Sequence, residues 1–120
     1  MKTILVVDDE EHIRRLYEAE LAEEGYSVIT AATGKEALEK LGESLPDLVI
    51  MDIKMPGING IETIQKMLAK DSTIPVIINT AYSSYKDSFL AWSADEYVVK
   101  SSDLTELKEK VRKLIGPAEA

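Results

Sequence analysis

Residues 47 to 57 read DLVIMDIKMPG. Four apolar residues, Leu48 to Met51, run without a break into a carboxylate, Asp52, with Lys54, Pro56 and Gly57 close behind. So short an apolar run without alternation predicts a strand buried on both faces, and such strands belong to parallel sheets covered by helices. An acid at the end of a buried strand then needs a partner or a purpose, because an unpaired buried charge is costly.

Working outward, four more runs of the same kind appear: TILVV at 3–7, YSVIT at 26–30, PVIIN at 75–79 and EYVVK at 96–100, recurring with DLVIM at 47–51 about every 21 to 28 residues. The segments between them have helical period. Ile13, Leu16, Tyr17 and Leu21 form one stripe, ended by Gly25; Thr33 and Glu36 open the next at capping-box spacing. Ile61, Ile64, Met67 and Leu68 mark the third, and Leu104, Leu107, Val111 and Leu114 the last, behind Asp103 and Glu106. The segment YSSYKDSFLAW at 82–92 has poor helix propensity and predicts only a short, marginal helix.

Strict strand–helix alternation implies right-handed crossovers, a parallel sheet and helices on both faces. The fold class is α/β, a doubly wound five-stranded sheet in the flavodoxin-like order 2-1-3-4-5. One domain over residues 1–116 is expected, with 117–120 a frayed tail.

Composition narrows the function. The chain has 120 residues, 45% apolar and 30% charged, with a net charge of −8. That balance disfavours direct contact with nucleic acid and with anionic membranes. Without cysteine there is no disulfide or thiolate metal site. No apolar run reaches the ~20 residues of a membrane span, and MKTILVVDDEE meets acids too early for a signal peptide, so a soluble, cytoplasmic protein is expected, with no membrane insertion.

In a parallel sheet, whatever follows each strand meets at one edge, where ligands of this fold class bind. The first strand delivers Asp8 and Asp9, the third Asp52, the fourth Asn79 and Thr80, the fifth Lys100. At an effective dielectric of about 20, two of these acids 4 Å apart repel by roughly 4 kcal/mol, so a cation or proton belongs among them. All-oxygen ligands suit Mg²⁺, with Mn²⁺ as an alternative, and the lone His12 is read as solvated. The DDEEH after the first strand would repel a phosphorylated cofactor. A metal beside one carboxylate, with Lys100 and Thr80 able to receive phosphoryl oxygens, describes an aspartate that accepts a phosphoryl group. Asp52 is the expected nucleophile, because Asp8 and Asp9 are adjacent and cannot both point inward freely.

The ordered set ILVVDDE, DLVIMDIKMPGINGIE, VIINTAY and DEYVVK resembles the receiver domain of two-component response regulators over nearly the whole chain. The resemblance implies that Asp8, Asp9, Asp52 and the carbonyl of Lys54 bind Mg²⁺ and that Asp52 is the phosphoacceptor. It further implies Thr80 as switch hydroxyl, Lys100 as phosphate-binding lysine and Tyr97 as switch aromatic. The implied partners are a sensor histidine kinase or histidine phosphotransfer protein and a downstream protein target. Phosphorylation would alter the surface of the fourth helix, fifth strand and fifth helix. The chain is then a signalling phosphoacceptor, a switch or phosphorelay intermediate, and an enzyme only toward its own phosphorylation and slow autodephosphorylation.

Two departures stand out. Ser101 follows Lys100 where the family usually has proline, often cis; a non-proline cis bond costs about 3 kcal/mol, so a trans bond and a rearranged loop are expected. Ser93 stands where glycine commonly closes the fourth helix. Lys54 and Tyr82, two residues past Asp52 and Thr80, should flank the path of attacking water and slow dephosphorylation. Ile13, near the acidic edge, is the candidate apolar anchor for the kinase partner.

Each residue also has a plainer reading. Asp9 fits an N-cap, Asp52 a turn residue, Thr80 a cap hydroxyl, Lys100 a surface amine, and Tyr97 and Ile13 core packing. Two other functions share parts of the pattern: a phosphate-independent binding module, and a metal-dependent aspartyl phosphohydrolase. The second would want a general acid at position 54, where the chain has lysine.

Overall fold

A computed structural model describes residues 2–52, 60–70, 73–80, 95–101 and 103–117, with the backbone alone at 60, 61, 70 and 80. In chain order the elements are β1 (Thr3–Val7), α1 (Glu11–Glu23), β2 (Ser27–Ala31), α2 (Gly34–Glu43), β3 (Leu48–Met51), α3 (Gly60–Lys70), β4 (Val76–Thr80), β5 (Glu96–Val99) and α4 (Thr105–Ile115). The helix expected at 82–92, and Ser93 after it, lie outside the described residues.

The strands form one parallel sheet in the order β2-β1-β3-β4-β5. Alternate residues build two cores. Leu5, Val7, Val49, Met51, Val76 and Ile78 face α2 and α3; Ile4, Val6, Leu48, Ile50 and Ile77 face α1 and α4. β3 is buried throughout and β1 from Ile4 to Val7, as their apolar runs predict. β2 and β5 are not: as edge strands they have a neighbour on one side only and stay partly exposed.

Local chemistry sets the helix ends. Gly25, at φ 96°, closes α1 by donating its N–H to Ala22, while Tyr26 donates to Leu21, and both apolar side chains join the same core. This is a Schellman ending that needs a residue comfortable in the left-handed region. Thr33 Oγ1 accepts from the Glu36 N–H at 3.1 Å, as its spacing predicts. Asp103 Oδ1 accepts from the N–H of Thr105 at 2.9 Å at the start of α4.

Two local readings change. The cap position of α1 is Glu10, not Asp9, and its side chain makes no cap bond; Asp8 Oδ1 instead accepts from the Glu10 N–H at 2.9 Å in an Asx turn. Leu16, placed on the core stripe by spacing, is 40% exposed, while its neighbours Tyr17 and Leu21 are buried.

Two further devices brace the sheet. At its amino edge, Asp47 Oδ2 accepts from Thr3 N at 2.7 Å and Asp95 Oδ2 from Val76 N at 2.8 Å. α4 is tied to α1 by Lys108–Glu20 and Arg112–Glu24, both at 2.8 Å. Its far end is held by Tyr26, whose hydroxyl donates to the Gly116 carbonyl at 2.7 Å, and by Lys2, which donates to the Ile115 carbonyl.

Candidate functional site

The strand register builds the site. Val7 pairs with Met51 and Met51 with Ile78, so one residue further on Asp8, Asp52 and Asn79 stand side by side. Asp52 N donates to Val7 O at 2.9 Å and continues the ladder. Strand alternation turns all three toward the α1 and α4 face, and all three are buried: Asp8 is 2%, Asp52 5% and Asn79 2% exposed.

Lys100, directly after β5, reaches into this row. Its Nζ lies 2.7 Å from Asp8 Oδ2 and 3.0 Å from Asp52 Oδ2, so one ammonium is shared by two carboxylates. Burial pulls the Lys100 ammonium toward neutrality, but the two acids outweigh it and hold its pKa well above the ordinary lysine value. For Asp8, burial dominates and pushes its carboxyl up, against the Lys100 hydrogen bond and the Glu10 N–H.

Beside the ion cluster sits a neutral pair. Asn79 Nδ2 donates to the Tyr17 hydroxyl at 2.5 Å, and Tyr17 is only 2% exposed. Burial raises the pKa of this phenol, and the charges of Lys100, Asp8 and Asp52 all reach it.

Among the described residues, Asp8, Asp9 and Glu10 each bring a carboxylate oxygen within 4.8 Å of the others. Oxygen donors alone fit a hard divalent cation such as Mg²⁺ or Mn²⁺. Glu10 was not singled out by the sequence reading, although it stands next in the acidic run; its carboxylate also lies 3.2 Å from His12 Nε2, and the His12 side chain is 77% exposed.

The other expected residues are distributed as follows. Asp9 is exposed at the mouth of the site. Thr80 ends β4, next to Asn79, and is described by its backbone. Tyr97 is half-buried against the α2/α3 core, and Ile13 half-buried against the α1/α4 core. Lys54 and Tyr82 lie outside the described residues. Among these no peptide bond is cis, so Lys100–Ser101 is trans as expected, and Ser101 Oγ accepts from Asp103 N at 3.1 Å in the following turn.

The sequence profile of the response regulator receiver domain matches residues 4–112. The chain belongs to the response regulator receiver domain family. This receiver domain is 43% identical over 120 residues to a probable transcriptional regulator, ycf27, of Cyanophora paradoxa, covering 98% of the chain and 50% of that protein. It spans about half the length of the curated relatives it matches. Among solved structures it is similar to the response regulator TrrA of Thermotoga maritima in complex with Mg²⁺-BeF, with a TM-score of 0.92 and 54% identity over 95% of this chain and 99% of that one. A second TrrA structure, in complex with the histidine kinase ThkA, gives a TM-score of 0.90 and 53% identity, covering 96% and 99%.

Proposed function

We propose that this receiver domain accepts a phosphoryl group on Asp52 from a phosphohistidine of a sensor kinase or phosphotransfer protein, in the cytoplasm and in a Mg²⁺-dependent reaction. The observation that carries the reading is the Lys100 ammonium held between Asp8 and Asp52 at 2.7 and 3.0 Å in a buried row. TrrA supports it from outside, having been solved with Mg²⁺-BeF and with a histidine kinase.

An Asp52 carboxylate oxygen forms the new bond to phosphorus as the bond to the donor's imidazole nitrogen breaks and its electron pair returns to the ring. Lys100 already contacts Asp52 and is placed to turn from the carboxylate to a phosphoryl oxygen as charge moves onto it. Thr80, at the end of the adjacent strand, is the hydroxyl proposed to donate to another of those oxygens. Asp8, Asp9 and Glu10, with Asp52 and the Lys54 carbonyl, are the residues that would hold the metal. A bound Mg²⁺ supplies charge neutralisation of the phosphoryl oxygens.

Downstream, Tyr97 and Thr80 are proposed to act together as the switch, altering the surface formed by the 82–92 segment, β5 and α4 and so its affinity for a protein target. Ile13 is proposed to contact the donor. On spacing alone, Lys54 and Tyr82 are assigned to screen the acyl phosphate from water, which suits a slowly reset relay.

The test is incubation with acetyl phosphate, with and without Mg²⁺, followed by intact mass. A Mg²⁺-dependent gain of one phosphoryl group, absent from Asp52→Ala, is the expected result. No gain from acetyl phosphate or from a phosphorylated kinase would overturn it.

A further inference from the structure

The acidic run Asp8, Asp9, Glu10 crosses from the end of β1 to the start of α1, and one residue grips both ends of it. Arg14 donates its backbone N–H to the Glu10 carbonyl at 3.1 Å. Its guanidinium turns back over the run, Nη1 donating to the Asp8 carbonyl at 2.7 Å in a partly buried bond. Within the run, Asp8 N–H donates to the Ala31 carbonyl at 3.1 Å and Glu10 N–H to Asp8 Oδ1 at 2.9 Å. The first of these fixes where the run begins and the second how it turns; the guanidinium closes the loop by tying the helix back to the strand end.

A positive charge is a poor neighbour for acids that are to take a cation, since like charges repel. Arg15 carries the same charge one residue on, but its Nη2 lies 2.7 Å from Glu11 Oε1 on the exposed side of α1. The two arginines therefore separate charge from geometry. We infer that Arg14 is a positioning residue for the metal site: by tying the Asp8 carbonyl to α1 it holds Asp8, Asp9 and Glu10 where their carboxylate oxygens lie within 4.8 Å of one another. The inference rests on the reading that these acids hold Mg²⁺. Carboxylates this close repel, and a loop free to relax lets them part. Partners that orient metal ligands are typically worth about 10- to 100-fold in affinity.

Charge and geometry predict opposite signs. Removing a cation beside the acids should tighten Mg²⁺ binding; removing the tie should weaken it. The experiment titrates ¹⁵N-labelled protein with MgCl₂, following the backbone amides of Asp8, Asp9 and Glu10, for the parent, Arg14→Met, Arg14→Lys and Arg15→Met, with thermal unfolding alongside. Arg14→Met should bind Mg²⁺ about tenfold more weakly. Arg14→Lys keeps a charged donor on a long stem and should recover most of that loss, and Arg15→Met should bind no more weakly than the parent. Arg14→Met binding as tightly as the parent or tighter, Arg15→Met weakened as much as Arg14→Met, or Arg14→Lys no better than Arg14→Met would each overturn the inference.

A second readout needs no metal. The Glu10 amide, bonded to Asp8 Oδ1, should exchange with water about tenfold faster in Arg14→Met, the scale of one hydrogen bond to a charged group, and at the parent rate in Arg15→Met. Equal exchange in the parent and Arg14→Met would mean that the loop holds its shape without the guanidinium, overturning the inference. A parent whose Asp8, Asp9 and Glu10 amides ignore Mg²⁺ would instead strike the metal reading itself, and this inference with it.

Discussion

Two edges of one sheet carry aspartates at matching offsets. Asp47 and Asp95 stand one residue ahead of β3 and β5; Asp8 and Asp52 stand one residue past β1 and β3. At the amino edge each acid meets a backbone donor, and the pairing is reciprocal: Asp47 N also donates to Thr3 O, and Asp95 N to Val76 O, both at 2.8 Å. At the carboxyl edge Asp8 accepts one such N–H, that of Glu10, and the Lys100 ammonium pairs with both Asp8 and Asp52. The same side chain therefore takes up a backbone N–H at one edge and shares a side-chain ammonium at the other, the pairing on which the proposed phosphoryl acceptance rests.

The sharpest way to break this comparison is Lys100→Met. Two buried carboxylates would lose their shared cation, and denaturant unfolding without divalent metal should show a loss of about 3 kcal/mol, while added Mg²⁺ should raise the midpoint more in the variant than in the parent. An unchanged midpoint would mean that the acids never depended on the amine.

Next in size is Asp95→Ala, which strands the Val76 N–H and should cost about 1 to 2 kcal/mol with phosphoryl acceptance unchanged; Asp95→Asn, which keeps an acceptor oxygen, should recover most of it. If Asp95→Ala slowed phosphoryl transfer at constant stability, the two edges would not be as distinct as described. Asp47→Ala should follow at roughly half that cost, because its bond to Thr3 is exposed.

The smallest effect is a pH dependence near the amino edge. The Lys113 hydrogen bond to Glu96 at 2.5 Å, against some burial and with Lys110 helping, holds the Glu96 carboxyl below its ordinary value of 4.5. A depressed folded-state pKa gives stability that is present above the ordinary value and lost as pH falls through the folded one. With Lys113 mostly exposed, the amount is no more than about 0.5 kcal/mol. Unfolding midpoints of parent and Glu96→Gln should converge as the pH drops below 4.5, and parallel curves would refute the pairing.

The strands were legible because branched apolar runs announce themselves locally, and Asp8, Asp52 and Lys100 because each directly follows one. Leu16 was misread since spacing marks a helical face but not its width, and α1 is buried along a narrower stripe. Asp47 and Asp95 escaped notice because their partners are N–H groups on neighbouring strands, a non-local pairing that no short motif encodes. Tyr17 and Asn79 did leave a trace: a phenol on a core stripe and an amide inside an apolar strand each need a buried partner, and they find it in each other in the core that α1 shares with β4.

The clasp of Tyr26 and Lys2 on the last turn of α4 has a practical consequence. It holds the end of α4 at the amino edge, with the length of a strand, about 17 Å for the five residues of β1, between that point and the acids. A fluorescent or affinity tag joined past Gly116 would ride on a firmly moored point at the pole opposite the chemistry, so it could report tumbling or attachment to a surface without disturbing the carboxylates at the other pole.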